Sequence, residues 1–169
     1  ILQHQINLGK GAALKTGCDY AVKNDAGVCV LMDGDGQHRP SDIPRFLDAL
    51  EKDGCDIVFG SRKRSRNMPL IFRFGNDFIS RVSQILYGVR LHDTQSGFRA
   101  FRTKVYDSIR WKSKDYSVES EMIANVGRKG IKYKEIYIDT IYKDDYKGTT
   151  VIDGIKIVLK MLRIKFFRW

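Results

Sequence analysis

Two short apolar runs, AGVCVLM (26–32) and CDIVFG (55–60), bracket a stretch of helical periodicity, and this spacing constrains the chain more than any other feature. Each run is short and lacks alternating polar positions, the pattern of a strand buried on both faces. Between them Ile43, Phe46, Leu47 and Leu50 recur at three- and four-residue steps. Ser41 is placed as the N-cap, Pro44 falls in the first turn where a missing N–H does little harm, and Gly54 is the stop. Strand, helix, strand at this spacing is a βαβ unit, which predicts parallel strands with right-handed crossovers.

The remaining segments extend that pattern. Residues 9–24, opened by a glycine turn, predict a helix, and SRKRSRNMP (61–69) reads as a basic loop. Phe74, Phe78, Ile79, Val82, Ile85 and Leu86 mark an amphipathic helix ending at Gly88. DTQSGFRAFR (93–102) is a turn-rich patch, 117–130 a short helix and 131–139 a strand. With 169 residues there is enough chain for one well-formed core. The predicted class is α/β: a mostly parallel sheet flanked by helices, with a basic helix over 151–169.

A formal charge of +10 asks for an anionic partner: nucleic acid, an acidic membrane surface or a phosphate-bearing substrate. Cys18, Cys29 and Cys55 are three, far apart and without CxxC spacing, which reads as reduced, buried thiols of a cytosolic setting. The chain opens at Ile1 with no signal-peptide pattern and reads as an interior segment of something longer.

DGDGQH (33–38) follows the first apolar run directly. Two neighbouring carboxylates repel unless a cation lies between them. An EF-hand loop beginning at Asp33 would need Gly and Glu where His38 and Pro44 stand, so that reading fails. Zinc is disfavoured with one histidine near and no adjacent cysteine. Oxygen ligands on a turn at the carboxyl end of a strand suit Mg²⁺ or Mn²⁺ shared with phosphate oxygens. The plain alternative is an Asp-Gly turn that ends a strand.

NLGKGAALKTG (7–17), LMDGDGQHRPSDI (31–43), FGSR (59–62), DTQSGFRAFR (93–102) and EIYIDTIY (135–142) occur in the order found in family 2 glycosyltransferases. Over nearly its whole length the chain resembles the dolichyl- and polyprenyl-phosphate sugar synthases of that family. The resemblance implies a GT-A fold, Rossmann-like, with a first nucleotide-binding strand and helix missing here. It implies a catalytic unit over 1–150, and transfer of a hexose from a nucleotide-diphosphate sugar to a polyprenyl phosphate with inversion.

By the same resemblance Asp33, Asp35 and Gln37 form the metal site that holds the donor diphosphate, and His38 is a candidate assistant. Lys10, in a glycine turn that does not match a Walker A loop, falls beside the donor. Arg62 falls near the acceptor phosphate, which a guanidinium can grip bidentately, and Arg73 looks like a second phosphate-binding arginine. Asp93, Ser96, Gly97 and Arg99 border the sugar and acceptor pocket, with Asp93 grouped with the catalytic residues. Lys63, Arg64 and Arg66 read as a solvated basic loop. Glu119 and Glu121 stand two apart on a helix and do not share a face, so they are no joint acid–base pair, and at most one of the two is expected to face the site.

In 151–169, Asp153, Lys156, Lys160 and Arg163 fall on one helical face, and Ile155, Val158, Leu159, Leu162 and Phe166 largely on the other. Trp169 suits an interface, and the segment carries too many charges to span a bilayer. This reads as a helix lying on an anionic membrane surface, with the protein at the cytoplasmic face. The rivals are a helix packed on the sheet and, for the whole chain, a non-catalytic membrane- or nucleic-acid-binding module. No recognised nucleic-acid motif is present, so nucleic acid is not an expected partner.

Overall fold

The computed structural model describes residues 1–63, 70–115, 117–141 and 151–166, the side chains of 70–74 and 151–153 excepted. In chain order the elements are α1 (Lys10–Lys23), β1 (Val28–Leu31), α2 (Ile43–Lys52), β2 (Ile57–Arg62), α3 (Leu70–Tyr87), β3 (Arg99–Arg102), α4 (Tyr106–Ile109), α5 (Val118–Lys129), β4 (Tyr133–Ile138) and α6 (Val151–Phe166).

The four strands form one sheet in the order β1-β3-β2-β4. β1, β2 and β4 run the same way, and β2 pairs β4 in parallel from Ile57↔Tyr133 to Arg62↔Ile138. β3 runs against them and lies between β1 and β2, so Leu31 and Phe59 both pair with Arg99. The two apolar runs are therefore co-directional, as a βαβ unit implies, with β3 inserted between them. The turn-rich 93–102 patch ends in a strand that periodicity did not announce.

Both faces of the sheet are covered, which is why its strands read as continuous apolar runs. Cys29, Leu31, Ile57, Phe59 and Phe101 enter the larger core with α1, α3, α5 and α6. Val58, Ala100 and Ile138 face α2 on the other side, where Phe46 stacks on Phe98 with ring centroids 4.2 Å apart. Such a pair adds about 0.5–1.5 kcal/mol beyond the area it buries. A 3₁₀ turn over Pro40–Asp42 leads into α2 in place of a Ser41 cap, and Asp42 instead accepts a hydrogen bond from Arg45 Nη1 at 2.7 Å.

α6 has three sides rather than two. Met161 is fully buried in the larger core with Ile157, Val158 and Ile164 packed beside it, and Tyr87 donates to the Met161 carbonyl at 2.6 Å. Ile155, Leu159, Leu162 and Phe166 form a second, exposed apolar stripe. Lys156, Lys160 and Arg163 follow on the third side by helical spacing. The helix expected to lie on a membrane surface is thus packed into the core along one side. Asp153 lies in the first turn of α6 with its side chain outside the described residues, as is the whole of Trp169.

Candidate functional site

The reversed strand assembles the site. Carboxyl ends of β1 and β2 deliver Asp33 and Arg62 to one edge of the sheet, and because β3 begins at that edge it brings the 93–98 turn there too. Gly97 sits under the Asp33 carboxylate: a Cβ at this residue would lie 2.6 Å from Oδ1 and 2.7 Å from Cγ of Asp33. Glycine is required here by proximity, not by backbone conformation.

Lys10 bridges two carboxylates, with Nζ 2.6 Å from Asp33 Oδ1 and 2.7 Å from Glu119 Oε1. Burial works against its charge, but the Glu119 and Asp33 carboxylates outweigh burial and raise the ammonium above its ordinary 10.5. The His38 ring and the Lys10 ammonium hold the Asp33 carboxyl well below its ordinary value, against burial. His38 Nε2 stands 3.6 Å from Asp33 Oδ2, so the 2.6 Å contact from Lys10 is the hydrogen bond of the two. Among the described residues, buried His38 Nδ1 and Glu119 Oε2 have no hydrogen-bond partner. Asp35 is exposed, and its Oδ1 accepts the Gln37 N–H at 3.0 Å, closing the turn on itself. Ile141 N–H donates to the Gln37 carbonyl at 3.0 Å and ties the turn to the chain beyond β4.

A second pair lies alongside. Arg62 grips buried Asp93 with Nε at 2.6 Å and Nη2 at 3.1 Å. Burial pushes the Asp93 carboxyl up, and the Arg62 charge and hydrogen bonds, with the Gln95 N–H, pull it below 3.8. Asp93 therefore acts on Arg62, fixing the plane of its fork.

Two expected acceptor contacts are turned inward. Arg99 is 2% exposed and donates to the carbonyls of Ser96 at 3.1 Å, Glu119 at 3.1 Å and Thr94 at 3.0 Å. Its guanidinium is occupied by the main chain, which is how an arginine can be buried in a strand. Ser96 is equally buried, and its Oγ accepts the Phe98 N–H at 3.4 Å. Burial leaves both with little surface to present to an acceptor phosphate. Arg73 lies in the first turn of α3 and its side chain is outside the described residues, as are Arg64 and Arg66. Lys63 pairs with Asp139 at 2.9 Å.

The start of α1 is a packed junction. Gly11 N–H donates to the Lys114 carbonyl at 2.8 Å, and Trp111 Nε1 donates to the Gly11 carbonyl at 2.8 Å. That helix end is already satisfied by main chain, and it is the Lys10 side chain that reaches the site. Glu119 and Glu121 do part ways: Glu121 Oε2 accepts the Lys112 and Ser113 N–H groups at 2.7 and 3.3 Å, while Glu119 joins Lys10. Sequence reasoning left the choice between them open. The cue was Lys10, a lysine approaching a carboxylate that a second anion could help neutralise.

Residues 1–110 match the Glycosyl transferase family 2 profile. Over 172 residues the chain is 34% identical to the UDP-N-acetylglucosamine–dolichyl-phosphate N-acetylglucosaminyltransferase of Methanococcus voltae, covering 97% of this chain and 68% of that protein. It is 28% identical to the polyprenol monophosphomannose synthase of Mycolicibacterium smegmatis over 97% of this chain and 63% of that one. Mycobacterium tuberculosis glucosyl-3-phosphoglycerate synthase, solved with Mn²⁺ and UDP-glucose, superposes with a TM-score of 0.63 at 16% identity, over 93% of this chain and 54% of that chain. The last comparison bears on the fold alone, which is GT-A. The chain thus spans about two thirds of the two sequence relatives and about half of the structural one.

Proposed function

The chain belongs to glycosyltransferase family 2, and from that membership we propose that it serves hexose transfer from a nucleotide-diphosphate sugar to a polyprenyl phosphate, with inversion. The observation that carries the reading is the ionised Asp33, held over Gly97 beside the Lys10 ammonium at the carboxyl edge of the sheet. The dolichyl-phosphate and polyprenol specificities in the names of the two sequence relatives support the acceptor class.

The donor set fits a divalent metal. Asp33 and Asp35 are carboxylates of one turn, Asp35 exposed, with the Gln37 amide next to them. Among the described residues no group of three or more His, Cys, Asp and Glu side chains is gathered to enclose an ion. Such a site suits Mg²⁺ or Mn²⁺, held by one or two carboxylates with the rest supplied by phosphate and water. The bound ion supplies neutralisation of the charge that builds on the departing diphosphate.

The chain's own groups do the rest. Lys10 adds a second positive charge at the same carboxylate. Arg62, its plane set by Asp93, faces the acceptor phosphate, and Arg73 at the head of α3 is the second candidate for it. A phosphate oxygen is already anionic near neutral pH, so attack on the anomeric carbon needs no general base. No described helix is long and apolar enough to cross a membrane. The exposed stripe of α6 and its basic side support peripheral docking on the anionic leaflet at the cytoplasmic face.

The test is radiolabel transfer from a panel of nucleotide sugars to polyprenyl phosphate by the full-length protein with Mg²⁺ or Mn²⁺. Asp33→Asn abolishes transfer without unfolding the chain if the reading is right. Near wild-type turnover in EDTA removes the metal from the scheme, and no transfer from any donor removes the scheme.

A further inference from the structure

A cavity lined by charged side chains, separate from the Asp33 site, opens between α4, α5 and α6. Its volume is about 480 Å³, and Arg110, Lys112, Arg128, Lys129, Lys160 and Arg163 line it against only Asp107 and Glu121. The volume falls in the range of small-molecule pockets.

Its walls are held from behind. Asn125 Nδ2 donates to the Arg110 carbonyl at 2.8 Å, Glu121 is spent on the Lys112 and Ser113 N–H groups, and Arg128 donates to the Ile164 carbonyl at the end of α6. Nearby anions balance part of the charge: Asp19 takes Arg110 at 2.8 Å and Asp115 takes Lys160 at 2.8 Å. Among the described residues, counting Asp19 and Asp115 together with Asp107 and Glu121 leaves two more cations than carboxylates around the cleft. Among the described residues Lys112 and Lys129 have no carboxylate partner. A preformed cavity that keeps surplus guanidinium and ammonium groups together costs self-repulsion unless an anion fills it.

We propose that this cleft is a binding site for a phosphate-bearing anion, a mono- or diester, gathered by Lys112, Arg128 and Lys129 with Arg163. Guanidinium forks match phosphate oxygens, and lysines add mobile charge around them. The source is either a soluble phosphate ester or the headgroup of an anionic lipid, since the exposed α6 stripe adjoins the Lys160 and Arg163 side. The site does not depend on the sugar-transfer reading, because no Asp33-site residue lines it.

The experiment reads binding, not turnover, on the full chain. Calorimetric titration with sn-glycerol 3-phosphate forms one arm, and co-sedimentation with phosphatidylcholine vesicles, with or without one-fifth phosphatidylglycerol, forms the other. The variant is Lys112→Glu/Lys129→Glu, two exposed positions, and the control is Lys15→Glu/Lys23→Glu on α1, which makes the same charge change elsewhere. Saturable binding in the soluble arm, weakened at least tenfold by the cleft variant and less than threefold by the control, assigns a free ester. Binding confined to phosphatidylglycerol vesicles with the same variant pattern assigns a lipid headgroup. Absence of binding in both arms, or equal losses in variant and control, overturns the site. Melting curves matched to wild type confirm that each variant is folded.

Discussion

Replacing Gly97 by alanine isolates the geometry of the Asp33 carboxylate from the stability of the fold. The new Cβ would meet Asp33 Oδ2 first and lie 2.6 Å from Oδ1, whereas ordinary contact begins near 3.4 Å, so the carboxylate must withdraw by at least about 0.8 Å. That shift breaks the 2.6 Å contact with Lys10. A misplacement of about 1 Å in a reacting constellation costs on the order of 10²-fold in rate. The obstacle is the tip of a side chain with two free torsions, so the folding cost is that of an off-rotamer, about 1 kcal/mol. For a domain of this size that lowers Tm by roughly 2–4 °C. Gly11→Ala is the contrast, because its Cβ would meet main chain of Ser113 and Lys114, with Lys114 C at 3.0 Å. Backbone cannot rotate aside, so that variant loses considerably more stability. The assays are thermal denaturation and radiolabel transfer by the full-length protein. Transfer by Gly97→Ala within twofold of wild type, or a Tm loss equal to that of Gly11→Ala, would refute the reasoning.

Glu119→Gln removes one of the two anions at Lys10 and leaves Asp33 to compensate. It costs about 2 kcal/mol, less than the roughly 3–5 kcal/mol of a fully broken buried pair because Asp33 keeps the ammonium paired, and thermal denaturation reads it. Arg62→Lys keeps the charge but loses the two-pronged grip on Asp93, so KM for polyprenyl phosphate rises about tenfold while donor affinity stays, and equal losses for both substrates reassign Arg62. Asp93 titrates below its ordinary 3.8 in the folded chain, so its contribution is present above that value and fades as pH falls through it and below. Denaturation between pH 6 and 2.5 therefore shows a steeper acid loss in wild type than in Arg62→Met, where the cause of the depression is gone.

Much of this architecture was legible because burial on both sheet faces writes itself as apolar runs. β1, β2, β4 and the longer helices all lie where periodicity placed them. β3 escaped because its sequence, RAFR, carries arginines at both ends. A strand whose first residue is a buried arginine satisfied by three carbonyls has no apolar signature at all. For the same reason Arg99 looked like a ligand: residue type does not reveal whether the main chain has already claimed its donors. The Asp33 turn stood out because neighbouring carboxylates are conspicuous, whereas Glu119 drew notice only as half of an i, i+2 pair and was identified by distance.

The placement of β3 also governs the order in which the sheet can be built. Every strand pairing in the sheet involves β3 or β4, since β1 and β2 never touch each other. Among the described residues, the stretch up to Phe98 contributes two buried-type strands with no ladder between them, and an unpaired apolar strand edge invites wrong partners. Residues 99–102 act as a keystone: they pair with both earlier strands, and the same pairing brings the Asp33 turn, Arg62 and the 93–98 turn to one edge. The strand that closes the sheet between β1 and β2 is thus the same element that gathers the candidate site at its edge.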